Sequence, residues 1–420
     1  MYLQKRINGI NIVAYKIPHI YSVYISIWIK SGSVYENKEN NGISHFIEHM
    51  VFKGSKYRSG KQIAEESDSI GAQINGFTEK DNTCFYIKAL NTYQEKAVNI
   101  LFDMVFNPAF EEDEINKEKN VVIEEILEET DSPEEVAYNN LDRISWGKSS
   151  LGLPILGSIE TVNSFTKQTL INYYNERFTS DNIVIAIAGN YNDEIFEIME
   201  EYLKKINKSK ISEILYNNEW HNGFAFLKKE IEQVNVCIGM PSVNFSFENI
   251  YPLSIINNAF GGGVSSRLFQ KIREEKGLVY SIYSYPSAYL NGGTLSVFFS
   301  CGVNNLIESY DLVLKEIEKI SMDGFTEKEI DKFKEHVRIN VLMDMDSTSS
   351  RMMDIGKSEL LLNRIYTLED VLSYIEKINY NDINQISRKI FNVDNISTSV
   401  VGNIQKDKIR WLENGKQHIT

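Results

Sequence analysis

Two histidines four positions apart with a glutamate between them, in His45-Phe46-Ile47-Glu48-His49, are the residues of this sequence best placed to do chemistry. At about 3.6 residues per turn, a helix sets His45 and His49 one above the other with Glu48 beside both. Two neutral imidazoles in that arrangement can share one Zn2+, and the carboxylate can deprotonate a water on the cation's open side. Only six histidines occur in 420 residues, so a pair one helical turn apart stands out. The competing reading, an amphipathic helix with two half-exposed histidines, leaves that spacing unexplained. His19, His221, His336 and His418 are isolated and read as surface or core histidines.

A metal site needs a third protein ligand, and a long helix predicted over about residues 111–129 can supply it. Its apolar face is Ile115, Val122, Ile123, Ile126 and Leu127, and Glu118 and Glu125 lie on the border of that face, two turns apart and aligned. A carboxylate facing a core is costly unless paired or bound to a metal, so one of these two is a natural ligand. Ahead of the histidines, Asn8-Gly9 marks a hairpin turn, and residues 21–30 alternate as a strand that Gly32 ends. Beyond them, Ser59 can cap a second helix that Gly71 closes. Residues 73–86 read as a strand broken by polar residues: either an edge able to accept an extended peptide or a bulged strand. A helix over 93–106 follows and stops before Pro108.

A chain of 420 residues with 42% hydrophobic and 24% charged residues is an ordinary globular sequence, too long for one core. A net charge of −14 argues against a nucleic-acid partner. Cys84, Cys237 and Cys301 are odd in number and far apart, which fits a reducing compartment. The first residues lack signal-peptide features, and the apolar runs 23–29 and 183–188 are too short to cross a bilayer, so a cytoplasmic protein without a membrane partner is expected. Phe178, Asp181-Asn182 and Gly189-Asn190 return as Phe391, Asp394-Asn395 and Gly402-Asn403, a constant offset of 213 (391 − 178, 394 − 181, 402 − 189). That repeat predicts one duplicated α+β unit: residues 1–205, a polar linker over 206–222, and residues 223–420. Glu114-Ile115 likewise returns as Glu329-Ile330, and the same offset of 215 carries Glu125 onto Asn340, with no second histidine pair. Only the first half can hold the metal. The second has a glycine run, Gly261-Gly262-Gly263, opening a predicted helix and fitting no nucleotide-binding pattern.

These residues resemble the pitrilysin family of zinc peptidases, whose signature His-x-x-Glu-His inverts the commoner His-Glu-x-x-His order. The likeness rests on His45 to His49, Asn75-Gly76-Phe77-Thr78, the run from Glu118 to Glu125, and the glycine run through Arg273 to Tyr280. It looks most like the short bacterial relatives of the mitochondrial processing peptidase. The resemblance implies an endopeptidase for unstructured peptides or leader sequences, with one Zn2+ per chain bound by His45, His49 and Glu125. Glu48 would be the general base and Glu118 a carboxylate steadying the site. Arg273 and Tyr280 would bind the scissile carbonyl and its oxyanion, and Asn75, Gly76 and Phe77 would form the edge on which an extended peptide docks. Gly76 stands where many relatives carry alanine, which should loosen that edge. The implied fold has two homologous halves of about 200 residues, each a mostly antiparallel sheet packed with helices, together half of a clam-shell chamber. A homodimer would complete the chamber, with Arg273 and Tyr280 acting in trans. The alternative is a non-catalytic scaffold of the same family, which typically loses residues that are present here.

Overall fold

The computed structural model describes residues 2–208 and 218–413, which form two α+β units, each built on one sheet. In the amino-terminal unit β1 (Tyr2–Ile7) and β2 (Ile10–Lys16) make the predicted hairpin, its turn held by left-handed Asn8 and Gly9. With β3 (Ser22–Ile29), β4 (Gln73–Thr78), β5 (Thr83–Leu90) and β6 (Ile183–Gly189) the sheet order is β1-β2-β6-β3-β5-β4. Only β2 and β6 run parallel. Both faces of the central strands are covered, which is why β6 reads as an unbroken apolar run, whereas β4 lies at the edge with β5 as its sole neighbour among the described residues.

Four helices matter most for the site: α1 (Ile43–Phe52), α2 (Gly60–Ser69), α3 (Gln94–Phe106) and α4 (Glu112–Asp131). Ser59 caps α2 with a full capping box, and Gly71 follows it in left-handed conformation. Phe46, Phe85, Leu101 and Phe102 are fully buried in one continuous core between these helices and the sheet. From α4 that core takes Ile115, Val122 and Ile126; Leu127, read from the sequence as part of the apolar face, is 43% exposed because it falls just past the contact stripe.

The carboxy-terminal unit repeats the plan. Its strands β7 (Phe224–Lys228), β8 (Gln233–Pro241), β9 (Ser281–Tyr289), β10 (Gly292–Gly302) and β11 (Ser397–Gly402) are ordered β7-β11-β8-β10-β9, with β7 and β11 parallel. That is the order β2-β6-β3-β5-β4 a second time, so the repeat legible in the sequence is a repeat of topology. Of the predicted linker, residues 209–217 lie outside the described residues, as does His418; Asn218, Trp220 and Asn222 donate side-chain hydrogen bonds to carbonyls of Asn291, Asn395 and Asp394.

Helices are exchanged between the halves. Helix α5 (Pro133–Trp146), capped by Ser132, packs on β11 and β8 of the second sheet. Helix Thr348–Leu362, capped by Ser347, packs on β6, β3 and β2 of the first. The two caps are 215 residues apart (347 − 132), the repeat offset seen in the sequence. Glu128–Gly152 therefore belongs to the second compact unit and Leu342–Tyr366 to the first, so the compact units interleave along the chain rather than dividing it at residues 206–222. Amphipathic patterning specifies which face of a helix is buried but not which sheet buries it. No described helix is long and apolar enough to cross a membrane, and the three cysteines are unpaired and buried.

Candidate metal centre

Helix α1 begins at Gly42, whose φ of 91° and close approach to the chain exclude a side chain: a Cβ there would stand 2.5 Å from the Leu156 carbonyl oxygen. Gly42 cannot cap the helix, and a distant carboxylate does so instead. Glu36 accepts hydrogen bonds from the backbone N–H of Gly42 at 2.7 Å and of Ser44 at 2.9 Å, and from Asn41 Nδ2 at 2.9 Å. Burial raises the pKa of this carboxyl against the pull of those hydrogen bonds, and its oxygens sit at the positive end of the helix dipole.

One side of α1 drives Phe46, Ile47 and Met50 into the core, leaving His45, Glu48 and His49 toward α4 and β4. Glu125 Oε2 lies 3.8 Å from His45 Nε2 and 3.5 Å from His49 Nε2. Ligands about 2.0–2.2 Å from a tetrahedral zinc stand roughly 3.4 Å from one another, so these three donors fit one ion. His45, His49 and Glu125 are the metal-compatible group among the described residues. Glu118, one of the two carboxylates that helical spacing alone left open as ligand, sits behind His49. It is 3% exposed, with Oε1 2.8 Å from His49 Nδ1 and Oε2 2.7 Å from Lys53 Nζ. A carboxylate only accepts, so Nδ1 carries the proton and the Nε2 lone pair is left for a metal.

Electrostatics sort the groups. Burial, reinforced by the charge of His49, pulls His45 down to about 3, and its buried Nδ1 has no hydrogen-bond partner among the described residues. His45 is thus a neutral donor at ordinary pH. For His49 burial acts in the same direction, but the hydrogen bond its Nδ1–H donates to Glu118 and the charges of Glu125 and Glu48 outweigh it and raise its pKa. Burial would raise Glu118, yet His49 and Lys53 hold it below the usual carboxylate range. Glu48 is raised, chiefly by burial and further by Glu125, against the opposing pull of Thr78 and His49.

Thr78 Oγ1 donates to Glu48 Oε2 at 2.7 Å and ties the edge strand to this carboxylate. Gly76 lies against it: a Cβ there would be 3.3 Å from Glu48 Cγ and 3.1 Å from the Phe85 ring, so the edge is packed tightly rather than loosened at this glycine. Phe77 meets the buried Trp28 edge to face at 5.7 Å.

Residues 12–159 match the family description "Insulinase (Peptidase family M16)", and residues 164–337 match "Peptidase M16 inactive domain". The chain belongs to the M16 peptidase family. The chain is 39% identical to a Bacillus subtilis protein named uncharacterized zinc protease YmxG over 92% of this chain and 95% of that one. It is 34% identical to an uncharacterized zinc protease of Rickettsia felis, covering 95% and 96% of the two chains. Its fold is shared with a protease from Helicobacter pylori at TM-score 0.87 and 18% identity, over 96% and 99% of the chains. A peptidase M16 inactive domain from Pseudomonas fluorescens aligns at TM-score 0.89 and 18% identity, over 96% and 98%.

The match of 164–337 to an inactive M16 domain agrees with the absence of a histidine pair there. In this M16 chain Arg273 and Tyr280 belong to the second unit. Arg273, in the helical segment Phe269–Glu274, lies 4.8 Å over the Phe269 ring, and Tyr280, just before β9, is 72% exposed. The glycine run follows helix Phe247–Phe260, with Gly261 closed against Ser284 and Gly263 open on all sides. Sequence reasoning missed Glu36 and Lys53, and named Thr78 without giving it a role. Lys53 stood four residues after His49 on one helix face, a readable signal. Glu36 had only an indirect one, the lack of any capping side chain at Gly42.

Proposed function

We propose that this chain is a zinc-dependent endopeptidase that binds one Zn2+ through His45, His49 and Glu125 and cleaves extended, unstructured peptides. The observation that carries the reading is the convergence of two imidazole nitrogens and one carboxylate oxygen beside a second, buried carboxylate, Glu48. A zinc ion bound there would supply Lewis acidity toward the scissile carbonyl and an acidified water. Main-chain groups along the open edge of β4, at Asn75, Gly76 and Phe77, align the peptide through hydrogen bonds that depend little on its sequence. Glu48, its basicity raised by burial, takes a proton from the attacking water and returns one to the leaving amine nitrogen. A C–O bond forms, the C–N bond breaks, and the carboxylate ends as it began.

Glu118 keeps His49 in the tautomer that offers Nε2. Arg273 and Tyr280 stabilise charge on the carbonyl oxygen, and the exposure of Tyr280 leaves its hydroxyl available for that role. By family resemblance the working form is a homodimer enclosing a chamber, these two residues acting on the partner's site. The unpaired cysteines agree with a cytoplasmic location. The test is cleavage of a quenched peptide library by wild type and Glu48→Gln, with zinc measured in both. The variant should keep its fold and zinc while losing several orders of magnitude in rate. Normal turnover by Glu48→Gln would remove Glu48 from the mechanism, and chelator-insensitive cleavage would remove the metal.

A further inference from the structure

We propose that helix Thr348–Leu362, contributed by the second half of the chain, positions the peptide-docking strand β4 through Lys357 and Gly356. The inference rests on the reading of β4 as the strand that receives the peptide. Among the described residues strand β4 is hydrogen-bonded on one side only, to β5, so its place must be held by something besides the sheet ladder. Two adjacent residues of the exchanged helix provide the hold. Lys357 Nζ lies 2.6 Å from Glu79 Oε2, and Glu79 immediately follows the last residue of β4. The same Glu79 oxygen accepts from Asn82 Nδ2 at 2.9 Å, and the Glu79 N–H donates to the Asn82 carbonyl at 2.7 Å, closing the β4–β5 turn. Gly356 faces Trp28 so closely that a Cβ would stand 2.1 Å from its Nε1. Trp28 in turn carries the Phe77 ring of β4. The helix thus holds the carboxy-terminal end of the docking strand by two routes, an ion pair to Glu79 just past it and a buried indole against Phe77.

The consequence follows from where β4 lies. Thr78 holds Glu48, and Gly76 abuts it, so the strand that would align the peptide is registered directly against the general base. Lys357 touches no reacting atom; it is a positioning residue that acts through Glu79. Releasing it should weaken docking of ground state and transition state alike, which appears in KM rather than kcat.

The experiment compares wild type, Lys357→Ala and Lys357→Arg on a quenched unstructured peptide, with zinc content measured. Lys357 and Glu79 are 34% and 44% exposed, so the alanine variant should fold. Lys357→Ala should raise KM about threefold to tenfold with kcat within about twofold and zinc unchanged, and Lys357→Arg should restore KM. A second readout needs no turnover: amide hydrogen exchange over residues 73–90 should quicken in Lys357→Ala and return in Lys357→Arg. Unchanged KM or unchanged exchange in the alanine variant overturns the inference while leaving zinc-dependent cleavage by wild type intact. Absence of that cleavage in wild type sinks the peptidase reading instead, and the exchange result then decides the positioning role alone.

Discussion

Replacing Glu118 with glutamine removes a charge from behind the histidine pair while keeping the side chain's shape. Glu118 is 3% exposed and uses both oxygens, toward His49 Nδ1 at 2.8 Å and toward Lys53 Nζ at 2.7 Å. Glutamine has a single acceptor oxygen, so one of these donors must face an amide NH2. A hydrogen bond to a charged group contributes about 1.5–3 kcal/mol, and loss of the partner behind a metal-binding imidazole typically lowers metal affinity about tenfold to hundredfold. The pH dependence carries the sharper test. His49 is raised because Glu118, Glu125 and Glu48 together outweigh its burial, so in wild type a proton competes for Nε2 as pH falls through that raised value. In Glu118→Gln the value drops, and competition begins at lower pH. The gap in zinc affinity should therefore be widest near about pH 8 and narrow on acidification toward about pH 5.5. Competition titration of the apo-protein against a zinc-binding dye measures this, with circular dichroism confirming the fold. Equal affinity at alkaline pH, or a gap constant across the range, would refute the claim that Glu118 acts through His49.

Two further variants probe the scaffold. Gly42→Ala forces a side chain onto a φ of 91° and to 2.5 Å from the Leu156 carbonyl oxygen, so it should destabilise the amino-terminal unit by about 2–4 kcal/mol; an unmoved urea midpoint would show that the turn can rearrange. In the second unit, burial opposes ionisation of Glu329, but Arg267 and the Thr326 N–H and hydroxyl prevail and pull it down to about 2. A carboxylate lowered on folding stabilises above its unfolded pKa, and that contribution is lost as pH falls from about 4.5 toward 2. Glu329→Gln should therefore cost about 2 kcal/mol at neutral pH, and its urea midpoint should converge with that of wild type as acid approaches pH 2. Parallel midpoints at every pH would show that the ion pair carries no linkage.

The parts of the site legible in the sequence are those governed by local geometry. The positions of His45, Glu48 and His49 follow from helical periodicity alone, and the alignment of Glu118 with Glu125 from the same rule applied to α4. Periodicity left open which of those two carboxylates meets the imidazole Nε2 atoms, and only the family resemblance pointed to Glu125, because the choice depends on how α4 is rotated and slid against α1. The apolar stripe was read one residue too wide at Leu127 for the same reason. Gly76 looked like a weakness in an edge strand; against Glu48 and Phe85 it is the residue that lets the strand come close.

By itself the sequence determined a histidine pair with a glutamate beside it, a duplicated α+β plan and the half of the chain that carries that group, because spacing and repetition are properties of the chain. Tertiary structure alone decided that helices α5 and Thr348–Leu362 cross to each other's sheets. It also decided that Glu36 caps α1 from outside the helix and that Lys357 reaches Glu79 across 278 positions (357 − 79). Each of these pairs residues far apart in sequence, and an amphipathic helix or a buried carboxylate states only that it needs a partner. Packing in three dimensions selects which one it finds.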